Sequence, residues 1–106
     1  MDLPPSMYVN YISRRKSDHA RLAEALASSQ GLEDFKVVGH QIKGNATSFG
    51  FDDLVAIGEK MEKLDSSRLL SEGPGLLEDF WKWIVAAEQR LERELPDEFS
   101  KEKENV

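Results

Sequence analysis

His40, Lys43 and Gly44 are the residues of this 106-residue chain whose types and spacing best suit chemistry. An imidazole titrates near pH 6.5, so at neutral pH much of it is uncharged and nucleophilic. It attacks a phosphoryl group without needing a stronger base. A lysine three residues later reaches the same patch of a helix surface and offsets the charge of phosphoryl oxygens. A glycine four residues later leaves that patch open. Glycine inside a helix costs about 1 kcal/mol relative to alanine. Packing gives no reason to place one on an outer face, whereas access for another protein does.

The helix that positions these groups is expected from about Leu32 to Phe49, with Gly50 as its C-terminal cap. On a wheel of about 100° per residue, Phe35, Val38, Gly39, Ile42, Ala46 and Phe49 gather into a buried stripe. Lys36, His40, Lys43, Gly44 and Thr47 fall on the other side, toward water. Gly39 is on the inner side, where it lets a neighbouring helix come close.

The rest of the chain reads as helix almost throughout, because β-branched residues are sparse and never alternate over a strand length. Pro4 and Pro5 suit a helix start. Tyr8, Tyr11 and Ile12 share a face, and Arg14-Arg15-Lys16 read as a cationic helix end or as a patch that meets an acidic partner. Ser17 and Asp18 look like the cap and first turn of a further helix carrying Leu22, Ala25, Leu26 and Ser29. One bent helix is the alternative to these two. After Gly50, the first-turn acids Asp52 and Asp53 open a helix that turns Leu54, Ile57, Gly58, Met61 and Leu64 inward. Ser71 to Gly75, with Gly73-Pro74-Gly75, reads as a loop. A last helix runs from about Leu76 to Leu95, with Leu77, Phe80, Ile84, Ala87 and Leu91 on its apolar face, and Pro96 ends it. Trp83 belongs to the core and Trp81 is part-exposed. The fold class expected is all-α: an antiparallel up-down four-helix bundle with an additional N-terminal helix, over residues 1–95, and a charged tail over 96–106.

Composition removes several classes of function. The chain has no cysteine, so disulfides and thiolate metal sites are absent, which suits a reducing cytoplasm. The net charge of -6 gives no broad attraction for nucleic acid or anionic lipid. No basic region followed by an apolar stretch marks a secretory leader, and no apolar run approaches the roughly 20 residues of a membrane span. His19 and His40 make no metal spacing with a carboxylate pair, and His19 is expected to be simply exposed. No nucleotide-binding motif, phosphate loop or serine-nucleophile motif is present.

The segment from His40 to Phe51, His-Gln-Ile-Lys-Gly-Asn-Ala-Thr-Ser-Phe-Gly-Phe, resembles the signature of histidine-containing phosphotransfer (HPt) domains. The pattern is His-x-x-Lys-Gly, small residues, and a glycine turn into the next helix. The likeness extends from about Gly31 to Leu64. It implies a four-helix bundle with an exposed phosphoacceptor, His40, assisted by Lys43 and cleared by Gly44. It further implies that the chain is a phosphocarrier rather than a stand-alone enzyme. It takes its phosphoryl group from an aspartyl phosphate on a receiver domain and passes it to a response regulator. The partners implied are receiver domains of response regulators or of a hybrid histidine kinase. The expected setting is cytoplasmic, with no nucleic acid and no membrane, and a monomer suffices. No cofactor is expected on the chain itself; Mg²⁺ belongs to the partner receiver. Lys36, Gln41, Gly44 and Thr47, with Tyr11 or Ile12, form the expected docking rim.

Members of the family often hold the second imidazole nitrogen with a Gln or Glu on the adjacent helix. If the hairpin turns near Gly50 and Phe51, His40 lies level with residues about 60 to 62. Glu62 then sits at the flank of its helix, beside the histidine. Glu59, one turn away, is the second candidate. Glu62 either orients the imidazole or simply pairs with Lys60 or Lys63 in water. Two readings without phosphotransfer stay open beside the carrier: a docking or inhibitory module of the same fold, and a plain helical interaction domain.

Overall fold

The structure is a computed structural model that describes residues 2–97. Four α-helices carry the fold: α1 (Pro5–Ala25), α2 (Gly31–Asn45), α3 (Asp52–Glu62) and α4 (Leu69–Glu94). A 3-10 turn over Ala46–Phe49 follows α2 directly. No strand is present among the described residues.

The N-terminal region is one unbroken helix of 21 residues, not two. There is no additional N-terminal helix among the described residues. Arg14 to Lys16 therefore lie in mid-helix rather than at a helix end. The reason is Arg15, which is only 4% exposed. Its Nε lies 2.8 Å from Asp18 Oδ2, and its guanidinium stacks 4.5 Å from the centre of the Tyr11 ring. Pairing at i+3 and ring contact at i-4 are satisfied only while the helix continues through Ser17 and Asp18. Ser17, expected as a cap, bonds back to the Ser13 carbonyl instead.

The second departure is at Gly73-Pro74-Gly75, which lies inside α4 rather than in a loop. Gly73 is buried, and a Cβ there would meet Leu26 Cδ1 at 2.7 Å. Close packing on Leu26 and Phe35 thus holds this segment helical against the local preference of proline and glycine. The true connection is Lys63 to Arg68. There Asp65 Oδ1 accepts hydrogen bonds from Ser67 Oγ at 2.6 Å and from the Arg68 backbone N–H at 3.1 Å, which turns the chain into α4.

Contacts between helices fix their directions. Arg21 pairs with Asp34 at 2.7 Å, and Tyr11 donates to Asn45 Oδ1 at 2.7 Å, so α1 and α2 run oppositely. Lys16 pairs with Glu88, while His19 Nε2 lies 3.2 Å from the Leu77 carbonyl, so α1 and α4 run oppositely too. His19 is half-buried between Phe80 and Trp81, not simply exposed. The core is built from Leu22, Phe35, Val38, Ile42, Leu54, Met61, Phe80, Ile84 and Leu91, each fully enclosed. Burial of each such side chain contributes about 1.5–3 kcal/mol. Tyr8, Tyr11, Phe49, Phe51 and Trp83 close one end as an aromatic cluster. No helix of the described residues is long and apolar enough to cross a membrane.

Candidate functional site

The α2–α3 hairpin builds the site. Helix α2 ends at Asn45, four residues before the expected end at Phe49, and gives way to the 3-10 turn. Gly50 then adopts φ +74°, and the Phe51 backbone N–H donates to the Ala46 carbonyl at 3.0 Å. Such a positive φ favours glycine, and it sends the chain back along α2. Asp52 and Asp53 occupy the first turn of α3, where carboxylates complement the helix dipole.

Glycines set the spacing of the two helices. A Cβ on Gly39 would lie 2.5 Å from the Gly58 carbonyl oxygen and 2.7 Å from the Glu62 backbone nitrogen. A Cβ on Gly58 would lie 2.8 Å from Ile42 Cγ2 and 2.9 Å from the Gly39 carbonyl oxygen. Two bare backbones therefore face each other, and α3 approaches α2 closely at the level of His40.

His40 projects from this hairpin, with 76% of its side chain exposed. Its Nδ1 lies 3.5 Å from Glu62 Oε2. Lys43 Nζ donates to the other carboxylate oxygen, Glu62 Oε1, at 3.4 Å. Glu62 thus stands between a histidine and a lysine and pairs with neither Lys60 nor Lys63. Its Oε2 is shielded from water and accepts no hydrogen bond among the described residues. Glu59 is exposed and forms no ion pair with His40 among the described residues. A Cβ on Gly44 would have nothing within 4 Å, so the surface one turn after His40 is open. With Nδ1 beside a carboxylate, the imidazole is biased toward carrying its proton there, which leaves Nε2 with a free lone pair.

The residues of the expected rim divide. Gln41 and Thr47 are exposed and Lys36 is half-buried, all outside the core stripe. Tyr11 and Ile12 do not belong to an exposed rim: they are 5% and 2% exposed and lie in the core. Three residues escaped the sequence reading. Asn45 holds the Tyr11 hydroxyl across the α1–α2 seam, a contact with no local signal. Buried Arg15 and half-buried Asp18 form a pair, and burial pushes the Asp18 carboxyl up against the opposing pull of Arg15. The spacing Tyr11, Arg15, Asp18 was a usable signal for that pair.

No group of three or more His, Cys, Asp or Glu able to hold a metal ion is present among the described residues. No protein-family model, curated protein or solved structure matches the chain.

Proposed function

We propose that this chain is a phosphocarrier of the HPt type, an up-down bundle that bears a phosphoryl group on His40. The observation that carries the reading is the arrangement of His40, Glu62, Lys43 and Gly44: an exposed imidazole with a carboxylate on one nitrogen, a lysine one turn away and a cleared surface beside it.

The chemistry balances. The Nε2 lone pair attacks the phosphorus of an aspartyl phosphate on a partner receiver domain. The N–P bond forms as the O–P bond breaks, and the electron pair leaves on the partner's carboxylate oxygen. The ring becomes a cationic phosphoimidazole that keeps its proton on Nδ1, and the Glu62 carboxylate offsets that charge. Lys43, released from Glu62 by a side-chain rotation, neutralises a phosphoryl oxygen. In the second half a carboxylate oxygen of another receiver attacks phosphorus, the N–P bond breaks, and its electron pair returns to Nε2. Each receiver brings its own Mg²⁺ and in-line geometry, so His40 acts as a co-substrate. A cytoplasmic, monomeric chain meets these requirements.

The test is transfer of label from a phosphorylated receiver domain to the protein. An acid-labile, base-stable phosphoryl group is expected on the native chain and none on His40→Gln. Absence of transfer from every receiver tried would return the chain to a docking or plain helical role. Transfer that survives His40→Gln would remove His40 from the site.

A further inference from the structure

Apart from the His40 face, α1 and the end of α2 enclose a groove of about 360 Å³. That volume is within the range of small-ligand pockets, roughly 300–1,000 Å³. Its polar lining is made of two guanidiniums, Arg14 and Arg15, and three carboxamides, Asn10, Gln41 and Asn45. No carboxylate lines it among the described residues. Tyr11 and Phe49, their rings 4.3 Å apart between centres, supply an aromatic wall.

Arg15 makes this more than a basic patch. It is 96% enclosed, and only its Nε meets Asp18, which lies outside the lining. Its Nε and Nη1 are both shielded from water and without a hydrogen-bond partner among the described residues, and its guanidinium stacks on the Tyr11 ring. A shielded cation so sparsely satisfied is costly, and an oxyanion in the groove that Arg15 lines offsets its charge across a short distance. Arg14, on the same helix, makes no ion pair or hydrogen bond among the described residues. Two planar guanidiniums beside three amide groups suit the several acceptor oxygens of a carboxylate or a phosphate. The aromatic wall suits an apolar group attached to that anion.

We propose that the α1–α2 groove binds a small ligand made of an oxyanion joined to an apolar body, with Arg14 and Arg15 holding the anion. His40 does not line the groove, although Gln41 belongs both to the groove and to the expected docking rim.

Phenyl phosphate, benzoate and inorganic phosphate are titrated separately into the uniformly ¹⁵N-labelled full chain, with amide shifts as the readout. Saturable shifts are expected at Asn10, Arg14, Gln41 and Asn45, with phenyl phosphate or benzoate binding more tightly than inorganic phosphate. Comparison of the two aromatic anions tells whether phosphate or carboxylate is preferred. Arg14→Gln, at an exposed position, should weaken binding about tenfold, the scale of one charge-assisted hydrogen bond. His40→Gln should leave binding unchanged. The proposal is overturned if the shifts do not saturate at tens of millimolar, if they spread equally to Lys60 and Lys63, if inorganic phosphate binds best, or if Arg14→Gln has no effect.

Discussion

Alanine substitutions at Gly39 and Gly44 should have opposite effects on stability, although both glycines belong to the same helix, Gly39 in its interior and Gly44 in its last turn. Each substitution returns helix propensity, about 1 kcal/mol in the interior at Gly39 and up to about 1 kcal/mol in the last turn at Gly44. At Gly44 nothing lies within 4 Å of the new methyl, so that gain is kept and Gly44→Ala should be up to about 1 kcal/mol more stable. At Gly39 the methyl would stand 2.5 Å from the Gly58 carbonyl oxygen, 2.7 Å from the Glu62 nitrogen and 2.8 Å from Met61 Cβ. None of these is the end of a flexible side chain, so α3 itself has to move. Overpacking of this kind costs about 1–3 kcal/mol, and backbone neighbours place it at the upper end. The net for Gly39→Ala is therefore a loss of about 2 kcal/mol, and the two variants should differ by up to about 3 kcal/mol. Urea titrations of native protein and both variants measure this directly, with equal slopes confirming that only stability has changed. Displacing α3 also draws Glu62 away from His40, so Gly39→Ala should slow phosphoryl transfer. Gly44→Ala should slow transfer as well, by crowding the approach to His40, while raising stability. A Gly39→Ala protein as stable as the native one would falsify the close-approach reasoning. A Gly44→Ala protein that transfers at the native rate would remove accessibility as the reason for that glycine.

Other consequences can be measured on the same material. Glu62→Gln should slow transfer roughly five- to tenfold with little change in fold, the scale of one partly exposed ion pair; an unchanged rate would leave Glu62 with no part in orienting His40. Lys43→Ala should transfer more slowly and keep its helical circular dichroism, and a rate equal to native would take Lys43 out of the mechanism. The Ser67 hydroxyl, helped by Arg68, holds the Asp65 carboxyl below its ordinary value of 3.8. Its stabilising contribution is therefore complete above that value and lost as pH falls through the lower folded value. Asp65→Asn should accordingly lower the melting temperature at pH 7, with the gap to native protein closing in acid; a gap independent of pH would contradict the assignment. Pro74→Ala restores a backbone N–H within α4 and should add at least about 1 kcal/mol of stability, read as a higher urea midpoint, whereas a lowered midpoint would show that the ring is needed in place.

Much of the site is legible in α2 alone. Period 3.6 and the residues Phe35, Val38, Ile42 and Ala46 determine which way the helix faces, and that places His40, Lys43 and Gly44 outward and Gly39 inward with no knowledge of the partner helix. Gly50 marks the turn, and the lengths on either side of it bring Glu62 level with His40. These are local properties, settled by backbone geometry and the spacing of apolar residues. What the sequence left undecided depended on contacts between distant segments. Arg14-Arg15-Lys16 read as an end because three cations beside Ser17 and Asp18 imitate one; burial of Arg15 against Tyr11 and Asp18 makes the helix continue. Gly73-Pro74-Gly75 carries every local mark of a loop, and only its packing on Leu26 and Phe35 turns it into helix. The groove beside Arg15 belongs to this second kind of fact. It exists because Asn45, 34 residues along the chain from Tyr11, meets that hydroxyl across the seam of α1 and α2. Periodicity along one helix determines which side chains point outward, but which of them meet is decided by how the helices pack.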